Sequence, residues 1–300
     1  MTTAMSPNRF PSHQAGLLLM LAGAAIDSTS GLFTRLIAAD GFTLASGRGL
    51  FGVVVAVGML LWRDGWKAPA SLRAIGLWGL LVVALNATGM VMNVLSLHYT
   101  SVANFYMIFA TAPFAAAIAA RFVLDEKLDV ATMLAAVAGF AGIAVMMASG
   151  ARSGGLLGDL LAIGCIITFS GIILIVRRTP GFDILAVASL TILTSGLITW
   201  PFANFSGLQA NDWLLLALFG MVQLAIGNVL IYMAMARIPA AQSGLLGILN
   251  AGFAPLWVLA FLGEVPSTAA LIGGSIIVSA AVAHFLWTML AVRKLAVAET

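Results

Sequence analysis

Ten apolar stretches of about twenty residues, separated by links of only a few residues, constrain this chain more than any other feature. A helix crossing a hydrocarbon core of about 30 Å needs roughly twenty mainly apolar residues at 1.5 Å rise each. In the first half, residues 15–38, 42–62, 73–97, 102–124 and 128–149 meet that requirement; in the second, 156–177, 183–205, 212–236, 240–262 and 268–291 do. The links carry turn residues, among them Asp64-Gly65, Ser153-Gly154-Gly155 and Thr179-Pro180-Gly181. No link is long enough to fold alone, so residues 1–300 read as a single all-α polytopic membrane domain. Composition agrees. The chain is 62% apolar and 8% charged, whereas soluble domains run near 45–50% and about 25%; so few charges would leave a water-facing surface uncovered. Residues 9–25 look like a signal peptide, but the apolar stretch resumes over 31–39, and the unit is read as the first span.

Charge sets the orientation. With both termini in the cytoplasm, eleven of the fourteen Lys and Arg lie inside, and Arg35, Arg48 and Arg152 lie outside. The expected address is therefore the inner (plasma) membrane, crossed many times, with cytoplasmic termini. Trp62, Trp66, Trp78, Trp200, Trp213 and Trp287 fall at span ends, where an interfacial aromatic belt belongs. The basic residues are scattered over loops without a patch interleaved with aromatics, which excludes nucleic acid as a partner. A lone cysteine, Cys165, excludes a disulfide framework and a thiolate zinc site. No metal or cofactor is called for.

The two halves repeat. At an offset of 138, Ala103 matches Ala241, Leu124 matches Leu262, Glu126 matches Glu264 and Gly89 matches Gly227; at 140, Ser30-Gly31 matches Ser170-Gly171. The repeats span 15–149 and 156–291. Each holds five spans, and an odd number forces the second to enter the bilayer from the opposite side. Inverted-topology repeats of this kind are a recurrent basis for alternating access. The expected architecture is ten transmembrane helices as two inverted-topology five-helix repeats.

Several runs resemble the EamA-type branch of the drug/metabolite transporter superfamily: Ala112-Pro113-Phe114 followed by Leu124-Asp125-Glu126-Lys127-Leu128, Ala254-Pro255 followed by Leu262-Gly263-Glu264, and Ser30-Gly31 with Arg35. The resemblance covers nearly the whole chain and is nearest to the aromatic amino acid exporter group. It implies export of small metabolites, often amino acids. In that family a proline lies thirteen residues before the glutamate. Pro113 fits, whereas the matching position in the second half is Ala251 and its proline is shifted to Pro255, which leaves the geometry of the ninth span open.

Ionisable and amide side chains at membrane depth mark candidate substrate contacts, because they are costly unless they face a bundle interior or a wet cavity. Asp27, in the middle of the first span with Ser30 and Thr34 on the same face, is a partner for a substrate ammonium group, a proton-coupling site, or a protonated carboxyl bonded to a neighbouring helix. No Lys or Arg is expected at its depth, Arg35 lying about 12 Å along the helix. Asn86, Met90 and Asn93 form a stripe on the third span; Asn104, Met107 and Thr111 on the fourth; Asn228 and Tyr232 on the eighth, with Gln223 pointing elsewhere; Ser243, Gly247 and Asn250 on the ninth. Each amide alone reads as interhelical hydrogen bonding; together the stripes point to a shared central cavity. Tyr99, Phe105, Tyr106 and Tyr232 are available to pack an apolar side chain. Glu126 and Glu264 read as caps at helix N-termini, and His284 as a core or homodimer contact.

The rival classes leave weaker marks. A membrane enzyme needs a catalytic cluster, yet His13, His98 and His284 lie on separate segments, and no nucleotide-binding loop supports a pump. A channel or facilitator remains a real alternative. The partners called for are a small-molecule substrate and the bilayer, with a second copy of the chain left open.

Overall fold

The computed structural model describes residues 10–126, 130–153, 155–179, 181, 183–235, 237–238 and 245–298. Helices follow the apolar stretches closely: α1 (Phe10–Asp27), α2 (Ser30–Leu36), α3 (Gly41–Asp64), α4 (Ala68–Arg73), α5 (Gly76–Tyr99), α6 (Val102–Phe109), α7 (Ala112–Val123), α8 (Val130–Ser153), α9 (Leu156–Arg178), α10 (Ile184–Thr199), α11 (Ala210–Leu218), a π-helical segment (Phe219–Ile226), α12 (Gly227–Met235), α13 (Leu245–Leu262) and α14 (Thr268–Ala298). Among the described residues nine helical stretches are long and apolar enough to cross a membrane, and Ile248–Leu262 is a shorter apolar helix where the ninth span was expected. The start of that expected span, 240–244, lies outside the described residues.

Three expected spans are interrupted rather than continuous. The first stops at Asp27 and restarts at Ser30. There the Ser28 hydroxyl donates to the Ala25 carbonyl at 2.9 Å and the Thr29 hydroxyl to the Ile26 carbonyl at 2.6 Å, local bonds that compete with the helical ladder. The fourth breaks at Ala110-Thr111, just ahead of Pro113 in the first turn of α7; proline lacks the N–H that would continue the ladder and disfavours helical backbone before it. The eighth carries its π segment between α11 and α12. In α13 the displaced Pro255 sits inside an unbroken helix.

Helix starts are capped by short polar side chains. Asp40 accepts from Phe42 N and Thr43 N, Ser101 from Asn104 N, Asp183 from Leu185 N and Ala186 N, and Ser267 from Ala270 N. Glu264 was expected in that role for α14, but Ser267 fills it, and Glu264 instead pairs with Arg35 Nε at 3.1 Å. Glu126 likewise pairs with Arg177 Nη1 at 2.6 Å. For Glu264 the cause is plain, since the Ser267 hydroxyl lies nearer the first N–H groups and has taken one of them; the residues that join Glu126 to α8 lie outside the described residues.

Packing is symmetric under exchange of the halves. α5 packs on α9 as α1 packs on α12, and α3–α10, α6–α13 and α8–α14 pair corresponding spans with each other. Glycine lets these backbones touch. A Cβ on Gly142 would meet the Gly273 carbonyl at 2.6 Å, and one on Gly49 would meet Gly196 Cα at 2.6 Å. The matched pair Gly89 and Gly227 does parallel work, since a Cβ on Gly89 would meet Thr168 Oγ1 of α9 at 2.7 Å and one on Gly227 would meet Ile26 of α1 at 3.2 Å. The two glutamate pairs obey the same symmetry, each joining the loop after one half's fourth span to the end of the other half's first. They lie at opposite ends of the bundle. Arg35 also donates to the carbonyls of Leu97 (2.6 Å) and Thr100 (2.8 Å) at the end of α5, whereas Arg177 ends α9, which starts beside Thr100 and runs away from it.

Candidate functional site

The interruption of the first span creates the polar centre of the molecule. Ending α1 at Asp27 frees that residue's carbonyl from the helical ladder, and two side chains take it up: Tyr106 OH donates at 3.2 Å and Gln223 Nε2 at 3.0 Å. The Asp27 carboxyl accepts from Gln223 on Oδ1 (3.2 Å) and from Asn250 Nδ2 on Oδ2 (2.8 Å). Trp257 Nε1 donates to Ser28 Oγ at 3.0 Å, which ties the break to α13. Four span units therefore meet at Asp27, and the π segment supplies Gln223. Discontinuous helices and π segments are both frequent devices at such sites.

Arg48 stands on another wall. It was expected outside the bilayer, yet it lies inside α3, only 6% exposed, flanked by Gly47 and Gly49 where α3 presses against α10 and the π segment. Its Nη1 donates to Asn93 Oδ1 at 3.2 Å and its guanidinium sits 4.8 Å from the centre of the Phe219 ring, a cation–π distance. Its Nε has no hydrogen-bond partner among the described residues. Among the described residues no carboxylate approaches it within 4.0 Å. The expectation that no basic residue shares the depth of Asp27 is thus corrected.

Asp27 and Arg48 both line one cavity of about 170 Å³. Its polar wall includes Ser30, Asn86, Asn93, Asn228 and Asn250. Its lining is also aromatic, with Phe105, Tyr106, Phe109 and Phe169, Phe109 being stacked on Phe105 at 5.7 Å and edge-on to Phe169 at 5.7 Å. An enclosure with charged, amide and aromatic lining suits a small amphipathic solute.

Sequence comparison decides the family. The signature of the EamA-like transporter family matches twice, over residues 14–148 and 156–286. The chain belongs to the EamA-like transporter family. No curated protein sequence matches it. A crystal structure described only as that of a protein superposes with a TM-score of 0.67 at 20% identity, over 92% of this chain and 99% of the other; at that identity the likeness speaks for the fold.

In this EamA-like transporter the structure brings together Asp27, Ser30, Asn86, Met90, Asn93, Tyr106, Asn228 and Asn250, eight of the residues singled out from the sequence. Three others go elsewhere. Asn104 turns from the cavity to donate to the buried Asp159 Oδ1 at 3.2 Å, beside Thr100 at 2.7 Å. Thr111 is buried against Gly139 of α8 and donates to the Ile108 carbonyl. Tyr99 is 44% exposed at the end of α5, edge-on to His98. The side chain of Tyr232 and all of Ser243 lie outside the described residues. Gln223, expected to point away, is instead a direct partner of Asp27. His284 sits among neighbouring helices, bonded to Thr132 Oγ1 at 2.8 Å and edge-on to Phe114. The signal that would have found Arg48 was present: an arginine seven residues into an apolar span, between two glycines, is not a loop residue.

Proposed function

We propose that this EamA-like transporter is a secondary transporter that exports small metabolites, foremost amino acids with apolar or aromatic side chains, by alternating access between two inverted five-span repeats. The observation that carries the reading is the central cavity, in which charged and amide side chains face a cluster of stacked phenylalanines. Lining of that kind favours a solute with a polar head and an apolar body over an inorganic ion. The two cross-repeat ion pairs supply the complementary element, since each ties one repeat to the other at one end of the bundle. Breaking one while the other holds would open the cavity to one side at a time.

The orientation rests on charge. With Arg48 inside the bundle, the basic residues divide eleven to two in favour of the side that holds both termini, a bias that supports cytoplasmic termini in a plasma-membrane protein. The test is counterflow: purified protein in liposomes preloaded with unlabelled L-phenylalanine should accumulate external labelled L-phenylalanine transiently, with saturation. Flux that neither saturates nor shows counterflow would mean a channel. A panel of the protein amino acids that shows no exchange at all would remove amino acids as the substrate class.

A further inference from the structure

The cavity holds one acidic and one basic side chain that do not pair with each other. Asp27 is fixed by Gln223 and Asn250, neutral donors that leave its charge unanswered. Arg48 is fixed by Asn93 and by the ring of Phe219, neither of which is an anion, and among the described residues its Nε has no acceptor although the side chain is almost wholly buried. A buried guanidinium is stabilised above all by a carboxylate, which its planar fork matches in two parallel bonds. The protein places a carboxylate in the same cavity yet holds it beyond 4.0 Å, too far for direct contact.

Resting on the proposed function, we infer that Arg48 and Asp27 form a two-ended clamp for the zwitterionic head of an α-amino acid. Arg48, with Asn93 beside it, takes the carboxylate. Asp27, at the break in the first span, takes the ammonium group. A head group inserted between them needs a span of about 8 Å, from two charge-assisted contacts of about 2.8 Å on either side of one Cα, so side chains held apart are what the ligand requires. The substrate side chain is then directed to Phe105, Phe109 and Phe169. The site as a whole is neutral but strongly dipolar. A free amine leaves Arg48 without a carboxylate, and a free acid leaves Asp27 without an ammonium, so each is rejected by the buried charge it fails to answer.

The assay is competition on the full-length wild-type protein in liposomes, with labelled L-phenylalanine as the exchanged solute. The competitors are phenethylamine, which lacks the carboxylate, and 3-phenylpropionate, which lacks the ammonium. Each should compete at least about tenfold less well than unlabelled L-phenylalanine, the loss expected for one charge-assisted hydrogen bond. Variants then assign the ends. Arg48→Gln should weaken L-phenylalanine binding while phenethylamine binds at least as well as before, and Asp27→Asn should weaken L-phenylalanine while 3-phenylpropionate binds at least as well as before. A general loss of folding would lower all ligands together, and the wild-type panel stands without the variants. Either analogue competing as well as L-phenylalanine overturns the clamp while amino acid transport stands. Absence of exchange with every amino acid overturns both.

Discussion

Weakening the Arg35–Glu264 tie should open the cavity from its own end of the bundle. The two partners are 26% and 28% exposed in their side chains, and Arg35 also donates to two main-chain carbonyls of the α5 terminus. Glu264→Gln keeps an acceptor but removes its charge, and charge-assisted hydrogen bonds are roughly twice as strong as neutral ones, so the loss is about 1–1.5 kcal/mol. Arg35→Gln removes the charge-assisted bond altogether, for about 1.5–3 kcal/mol across the repeats, while its contacts to the Leu97 and Thr100 carbonyls lie within the first repeat and do not bear on opening. The opposite pair, Arg177–Glu126, is 51% and 47% exposed and makes one contact, which in that setting is worth about 0–1 kcal/mol. At about 1.4 kcal/mol per tenfold, Glu264→Gln should raise the open population at the Arg35 end about tenfold, Arg35→Gln about ten- to a hundredfold, and Glu126→Gln should change the other end less than about fivefold. The resting transporter should accordingly be the more accessible from the Arg177 end. Cys165 is a built-in reporter, being the chain's single cysteine and part of the cavity wall. Its modification by a small membrane-impermeant thiosulfonate, applied to vesicles of each orientation, reads the two populations. If neither Arg35→Gln nor Glu264→Gln accelerates modification from the Arg35 end, the tie does not close the cavity and the reasoning fails.

Three further outcomes follow from the same structure. Cysteines placed at the exposed Lys67 and Ser206 should label from opposite faces of the membrane, and labelling of both from one face would refute the proposed topology. Asn93→Leu should cut exchange more than Asn86→Leu, because Asn93 also holds Arg48; equal flux in both variants would return the stripe on α5 to packing. At the mouth of α10, partial burial works to raise the Asp183 pKa, but the Arg63 hydrogen bond and the Ala186 and Leu185 N–H groups outweigh it and hold the carboxyl below the usual carboxylate value. A depressed pKa contributes stability that is present above about pH 4 and is lost as pH falls through the folded value. Asp183→Asn keeps the cap but loses the ion pair with Arg63, so it should lower the melting temperature at pH 7 by an amount corresponding to no more than about 1 kcal/mol, and the difference from wild type should shrink towards pH 3.

What the sequence determined on its own was everything set by local chemistry along the chain. Twenty-residue apolar runs can only be spanning helices, because unpaired backbone is too costly in hydrocarbon. The asymmetry of basic residues gave the expected orientation, and the spacing of Asn86, Met90 and Asn93 put them on one face, which does line the cavity. Asp27 stood out because an acid in the middle of such a run needs a reason. Tertiary structure decided which face looks where. Asn104 shares a helical stripe with Met107 and Thr111, yet it answers Asp159 on α9, since a stripe defines a face but not its neighbour. Gln223 and Asn228, five residues apart, fall on different faces of an α-helix; the π segment Phe219–Ile226 bonds i to i+5 and brings them to the same site. Arg48 counted as an outer charge until α3 was seen to carry it into the bundle, where glycines on three helices let the backbones close around it. Periodicity is a property of one helix, and a binding site is a property of several. Only the packing of seven interrupted and uninterrupted spans could bring a carboxylate and a guanidinium to the lining of one cavity without pairing them.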